Sequence, residues 1–109
     1  MAITYKILGQ SNPTAQTATT LYTVPSSTSA IISTVAVCNQ SANSGTFKLA
    51  VRPTADALAA KHYIAYDTTV PANDTLTLTL GITIGAADLV VGNTSSSNIS
   101  FSLFGSEVT

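Results

Sequence analysis

A chain of 109 residues with 45% apolar residues has the size and composition of one globular domain. Only 8% of the residues are charged and the net charge is −1, which excludes the basic field that a nucleic-acid-binding protein needs. One cysteine excludes an intramolecular disulfide and a cysteine-based metal site. The start has no secretory leader and no apolar run reaches membrane-spanning length, so we expect synthesis in a reducing cytosol and no membrane partner.

The first half of the chain predicts four β-strands, at residues 4–8, 20–24, 30–39 and 46–51. In the third of these, Ile31, Val35 and Val37 share one face of a regular pleat, while Ile32 belongs to an apolar opposite face. A strand with two apolar faces is expected in the middle of a sheet. The glycine-containing turn at 40–45 predicts a hairpin between the third and fourth strands.

The second half continues the pattern, with strands predicted at residues 62–67, 75–83, 89–92 and 99–103. The strand at 75–83 has the clearest alternation, because leucine or isoleucine at 76, 78, 80 and 82 alternates with threonine. The alanine-rich stretch 54–61 predicts at most one short helix in a loop. We therefore predict an all-β fold: a single domain, 1–109, forming one antiparallel β-sandwich of about eight strands, either jelly-roll or immunoglobulin-like.

The residue types needed for catalysis are scarce. His62 is the single histidine, and beside Lys61 at a predicted strand start it is expected to be a surface or interface residue. None of the many serines lies in a G-x-S-x-G motif, and phosphate-binding loops, dinucleotide fingerprints and calcium-loop patterns are missing. The sequence predicts no enzyme activity, no catalytic residues, no cofactor and no metal ligands.

Contact residues are sought among the polar-tipped aromatic and cationic side chains, which are enriched at interface hot spots. The segment around 61–67 concentrates them, and the candidate interface residues are Arg52, Lys61, His62, Tyr63 and Tyr66. An alternative for the two tyrosines is that they only cap the sandwich core. Tryptophan is absent, which speaks against a carbohydrate-binding platform.

Four segments carry a resemblance to a known group of proteins. They are Leu-Tyr-Thr-Val-Pro within 20–25, Val-Ala-Val-Cys-Asn at 35–39, Tyr-Ile-Ala-Tyr-Asp at 63–67 and Phe-Ser-Leu-Phe-Gly-Ser-Glu at 101–107. Together they resemble small β-sandwich structural proteins of tailed-bacteriophage virions, including those of cyanophages. The resemblance implies a virion component without enzymatic activity, attached to the capsid shell or to the tail.

Two placements follow from that resemblance. In the first, the protein is a capsid decoration or cement protein that binds the outside of the major capsid protein shell and stabilises the particle. In the second, it belongs to the tail, neck, baseplate or a fibre and binds other tail proteins. A glycan-binding or cell-surface-binding adhesion module is the alternative from another functional class.

The scarcity of charge also bears on self-association. Serine and threonine fill 31 of the 109 positions, so the polar surface is built from hydroxyl groups with little charge to repel a neighbouring copy. Few charged residues are available to protect strand edges. We therefore expect a homo-oligomer, a trimer or dimer, with contacts from residues 14–20, 54–61 or 106–109.

Overall fold

The computed structural model describes residues 2–109. Within that range it contains eight β-strands and, as its single helical element, one 3-10 turn. The strands are β1 (Ile3–Ser11), β2 (Thr19–Thr23), β3 (Ser29–Asn39), β4 (Gly45–Arg52), β5 (Tyr63–Val70), β6 (Thr75–Ile84), β7 (Leu89–Thr94) and β8 (Ile99–Val108). The 3-10 turn, Ala60–His62, lies between β4 and β5.

The strands form two four-stranded antiparallel sheets that face each other. Sheet I has the order β1-β8-β3-β6, and sheet II has the order β2-β7-β4-β5. The strand pairs are those of one long hairpin rolled into a sandwich: β1 pairs with β8, β2 with β7, β3 with β6 and β4 with β5. This arrangement is a jelly roll. The predicted all-β sandwich is confirmed, in the first of its two expected forms.

The core lies between the sheets and is supplied by every second residue of the strands. Phe47 of sheet II and Phe101 of sheet I meet edge to face with ring centroids 6.0 Å apart. Ile99 and Leu103 flank Phe101 on the same face of β8, and all of these side chains are fully buried. Burying a large apolar side chain contributes about 1.5–3 kcal/mol, so this layer holds the two sheets together.

The hairpin predicted between the third and fourth strands is wrong. β3 pairs with β6 and β8 in sheet I, whereas β4 pairs with β5 and β7 in sheet II. The side chain of Asn39 holds the crossing in place, because its buried Nδ2 donates to the carbonyl oxygens of Asn43 and Val70, at 2.9 and 3.1 Å. Its Oδ1 accepts from the Ser41 N–H. The amide therefore ties the turn, which leads into the opposite sheet, to the end of β5.

The predicted face assignment of the third strand also needs correction. The register of β3 shifts at Ser33, which is an extra residue opposite β8 and hydrogen-bonds through Oγ to the Phe104 carbonyl at 3.1 Å. The extra residue places Ile32 on the core face together with Val35 and Val37, and it leaves Ile31 on the outer face, 40% exposed. The central position of β3, between β8 and β6, is as expected.

The strongly alternating strand, β6, has its leucines toward the core as predicted, with one exception. Leu76, Leu78 and Ile82 pack against the core, and the intervening threonines are exposed. Leu80 is exposed because the strand is irregular at the neighbouring Gly81, whose φ is +67°. The short helix expected near 54–61 is reduced to the 3-10 turn at Ala60–His62.

Candidate contact surfaces on the two sheets

The outer face of sheet II carries a tyrosine pair on the edge strand β5. Tyr63 and Tyr66 pack edge to face with ring centroids 5.1 Å apart and an interplanar angle of 86°. Residues three apart point to opposite faces of a regular strand. Here the register of β5 against β4 shifts twice, and Asp67 adopts a left-handed backbone with φ of +50°. The register shift between Leu49 and Ala50 makes Ile64 an extra residue between the two tyrosines, and this lets both rings lie together.

A single ion pair anchors the exposed ring of this tyrosine pair. Lys48 of β4 places its Nζ 2.6 Å from Asp67 Oδ1 and 4.7 Å from the centroid of the Tyr66 ring. The hydrogen bond to Asp67 raises the pKa of Lys48, so the ammonium stays charged over the ring. The result is an aromatic site with a fixed cation and a fixed anion on one side.

A groove runs beside the tyrosine pair, between it and the loop that follows β4. It is open to solvent, has a volume of about 600 Å³, and is lined by Leu58, Ala59, Ala60, Tyr63 and Tyr66. Its lining is mainly apolar apart from the tyrosine hydroxyls. We call this feature the tyrosine groove.

The loop wall of the tyrosine groove is held by one carboxylate, Asp56. His62 Nε2 lies 3.4 Å and Lys61 Nζ 3.5 Å from Asp56 Oδ2, and Arg52 donates to the Asp56 carbonyl oxygen. His62 Nδ1 accepts the Ala59 N–H at 2.9 Å, which places the ring proton on Nε2, facing the carboxylate. The hydrogen bond from His62, followed by the charge of Lys61, lowers the pKa of Asp56.

These contacts divide the five predicted interface residues into two groups. Arg52, Lys61 and His62 converge on Asp56 and fix the loop. Of the two expectations for His62, a surface or an interface residue, the surface position is wrong, because His62 is only 6% exposed beneath the loop that it holds. Tyr63 and Tyr66 line the groove.

Three participants in this site were missed from the sequence: Asp56, Lys48 and Asp67. The last two are 19 residues apart and meet only because β4 and β5 pair. Asp56 had no sequence signal beyond lying in the predicted loop.

The outer face of sheet I carries a different surface, made of large apolar side chains. Ile3, Tyr5 and Ile7 alternate along the edge strand β1 and are all exposed. Ile7 lies opposite Phe104 of β8. Tyr5 lies opposite Ser106, which in turn lies opposite Ile31 of β3. We call these five exposed side chains the apolar face: Ile3, Tyr5, Ile7, Ile31 and Phe104.

The charged residues of this region lie on the opposite side of sheet I, at the open edge of the sandwich, where the side chain of Lys6 is 45% exposed and that of Glu107 is 12% exposed. Lys6 shares a row with the fully buried Ile32, and its Nζ lies 3.2 Å from Glu107 Oε1. Tyr22 of sheet II donates its hydroxyl hydrogen to the same carboxylate. The hydrogen bond from Tyr22, reinforced by Lys6, lowers the pKa of Glu107, and burial raises the pKa of Tyr22. Register thus separates charge and apolar surface onto opposite faces of β1.

The described part of the chain offers neither a metal-binding cluster nor a membrane-spanning helix. Among residues 2–109, no three His, Cys, Asp or Glu side chains lie close enough together to hold a metal ion. None of the helical structure in that range is long and apolar enough to cross a membrane.

Comparison with known proteins gives a likeness of fold. No protein-family model and no curated protein matches the chain. Among solved structures, a chain in the structure of infectious bursal disease virus, Gx strain, superposes with a TM-score of 0.55 at 18% sequence identity. The match covers 97% of this chain and 30% of the viral chain, so the present chain spans less than a third of that protein. The shared feature is the β-sandwich.

Proposed function

We propose that this protein is a non-enzymatic structural component of a tailed-bacteriophage virion, a decoration or cement protein on the outside of the major capsid protein shell. The observation that carries the proposal is the pair of opposed contact surfaces. The apolar face lies on the outside of sheet I and the tyrosine groove lies on the outside of sheet II. A rigid sandwich with contact area on both outer faces can join two neighbours.

The fold supports a place in a virus particle. Nearly the whole chain superposes on part of a chain from the infectious bursal disease virus structure. The resemblance of the segments at 20–25, 35–39, 63–67 and 101–107 to tailed-phage virion proteins points to the same class of assembly. A decoration protein of a shell would be present in many identical copies. In such a particle weak contacts made by each small subunit add up through multivalency.

The non-enzymatic part of the proposal is supported by the state of His62. Both of its ring nitrogens are engaged within the loop, one with the Ala59 N–H and the other facing Asp56. A general base must reach the proton that it abstracts, and a side chain only slightly exposed beneath its own loop is poorly placed to do so. If a hydrolase activity were found, and if it were lost in His62→Gln while the fold was retained, this part of the proposal would be wrong.

One observation favours a second function, an adhesion module that binds a glycan. Tyr63 and Tyr66 form an aromatic wall flanked by the Lys48 ammonium and the Asp67 carboxylate, which is a combination of ring face and polar groups that a sugar can use. A glycan array distinguishes this function. Specific binding that disappears in Tyr66→Ala and persists in Tyr5→Ala would favour adhesion over cement.

The test of the cement function uses particles that lack this protein. We expect them to release DNA at lower temperature than complete particles and to release it on transfer to a low salt concentration that complete particles withstand, and we expect purified protein added back to restore the resistance. Tagged copies should label the shell in electron micrographs.

Two results would contradict the proposal. Deficient particles that are as heat-resistant as complete ones but fail to adsorb to cells would place the protein in the tail or in adhesion. Label confined to the neck, baseplate or fibres would overturn the shell location even if stability changed.

A further inference from the structure

We propose that the apolar face of sheet I packs against the apolar face of a second copy of this chain, forming a two-fold dimer centred on Tyr5. The proposal adds a partner to the proposed function: sheet I binds a second copy, and sheet II remains free to contact the shell. It rests on the proposed function only for the role of sheet II. The dimer is a property of the isolated protein and can be measured without particles.

The first argument is the amount of exposed apolar surface. The exposed fractions are 51% for Ile3, 82% for Tyr5, 54% for Ile7, 40% for Ile31 and 37% for Phe104. With roughly 150–250 Å² for each large side chain, the five expose on the order of 400–650 Å². A patch of that size is at the upper end for a monomer. It supplies between about half and about four fifths of the about 800 Å² that each partner buries in a standard interface.

The second argument is the chemistry of the patch. Among its near neighbours on the same face are Ser106, Thr34 and Thr83, which are small or uncharged. The two charged residues of this region, Lys6 and Glu107, pair with each other on the core-facing side of the sheet. Two copies of an uncharged face do not repel each other. A partner that is recognised through charged groups would find no complementary charge on this face, so a second copy is the better fit.

The third argument is the symmetry of β1 itself. Ile3, Tyr5 and Ile7 form a pattern that reads the same in both directions about Tyr5. A two-fold interface brings residue i of one copy onto residue j of the other and the reverse. With the axis beside Tyr5, each isoleucine at 3 meets the isoleucine at 7 of the second copy, and the two Tyr5 rings meet at the centre. The stripe is therefore complementary to itself.

Packing face to face suits this surface better than pairing the β1 edges. β1 is an edge strand, but Lys6 and a register shift between Ile7 and Gly9 interrupt its free edge. Charged residues and bulges on an edge oppose strand addition. Edge pairing would also leave the five apolar side chains exposed, so it would gain little of the free energy that their burial offers.

Sedimentation velocity at about 1 to 200 µM, a range that brackets micromolar dissociation constants, tests the dimer. We expect the wild type to pass from monomer to dimer within that range. Tyr5→Asp and Tyr5→Lys, each alone, should weaken the dimer at least about a hundredfold, because each sets two like charges at the centre of a desolvated interface. An equimolar mixture of the two variants should dimerise again, because unlike charges then meet across the axis.

The matched control is Tyr66→Asp, which makes the same change at an exposed tyrosine of the opposite sheet. It should leave the dimer unchanged, and circular dichroism should show that every variant is folded. A wild type that stays monomeric, a trimer, or a Tyr5→Asp variant that behaves like Tyr66→Asp would overturn the proposal.

Attachment of the same samples to protein-deficient particles separates this inference from the proposed function. If the wild-type protein is monomeric but still binds and stabilises the shell, the dimer proposal is wrong and the cement function is retained. If the protein forms dimers that fail to bind the shell, the cement function is wrong and the dimer proposal is retained.

Discussion

The two outer faces of the sandwich are built by different means. On sheet I, strand register alone brings the five residues of the apolar face together, through rows such as Tyr5, Ser106 and Ile31. On sheet II, the tyrosine groove depends on a loop, and that loop depends on the side-chain contacts of Asp56. The comparison teaches that backbone changes should damage the first surface and single polar side chains should control the second.

The largest effect is expected from Gly105→Ala, which attacks the backbone of sheet I. A Cβ at this position would lie only 2.0 Å from the Ile31 carbonyl oxygen, so β3 and β8 would have to separate at the bulge. We expect the free energy of unfolding in urea to fall by about 3 kcal/mol, the upper range for overpacking.

The matched control for that variant is Gly85→Ala, because a Cβ there would meet its nearest neighbour at an ordinary 3.7 Å. Its free energy of unfolding should change by less than about 1 kcal/mol. Equal losses in the two variants would mean that the register of sheet I does not depend on a close backbone approach at Gly105.

The second effect concerns the loop of sheet II. His62→Ala removes the acceptor of the Ala59 N–H and the ring that faces Asp56. Loss of these contacts and of a buried side chain should cost about 2 kcal/mol in urea unfolding. Limited proteolysis should show faster cleavage within residues 53–62.

A conservative variant sharpens the test of the loop. His62→Gln keeps a hydrogen-bonding side chain and should restore part of the protection. Cleavage of His62→Ala elsewhere in the chain, with the loop still protected, would show that the tyrosine groove does not depend on this contact.

The third effect lies beneath the apolar face, where Glu107→Gln removes the charge that Lys6 and Tyr22 share. Because the pKa of Glu107 is lowered in the folded protein, its stabilising contribution is complete above the unfolded value of about 4.3 and is lost as the pH falls through the folded pKa. At pH 7 we expect the free energy of unfolding of the wild type to be about 1 kcal/mol higher than that of the variant. The difference should shrink as the pH falls through the folded pKa of Glu107, and a difference that does not change with pH would contradict the assignment.

The smallest effect is expected from Lys48→Met, which keeps an unbranched side chain but removes the ion pair and the cation over Tyr66. Exposed pairs of this kind contribute little, so the free energy of unfolding should change by less than about 1 kcal/mol. Added salt should lower the free energy of unfolding of the wild type toward that of the variant, because salt screens the ion pair. A loss above 2 kcal/mol would show that the groove is held by charge and not mainly by its loop.

The strands were predictable because their signal is local. All eight lie where alternation placed them, and β6 shows why: the leucines at 76 and 78 face the core as the period of two requires. The prediction failed where one residue breaks the period. Ser33 shifts β3 and reverses the faces of Ile31 and Ile32, and no local pattern marks such a bulge.

The candidate site was predictable only in part, for a related reason. Tyr63 and Tyr66 were identified by residue type and lie together, but His62 was misplaced on the surface because its partner, Asp56, becomes visible only in the folded loop. The apolar face was missed, although the alternation of Ile3, Tyr5 and Ile7 is present in the sequence. An apolar stripe on one strand does not reveal whether another layer covers it.

The sequence by itself determined the strands and the all-β fold class of this protein, because the alternation of apolar residues and the turn residues are patterns among a few neighbouring positions. Tertiary structure decided which strands pair, which faces are covered and which polar groups meet. Asn39 illustrates the difference, because its amide reaches the carbonyl oxygens of β5 and of the connecting turn only once β4 has entered the other sheet. Contacts between residues 30 or more positions apart depend on the whole roll, and so do the two outer faces.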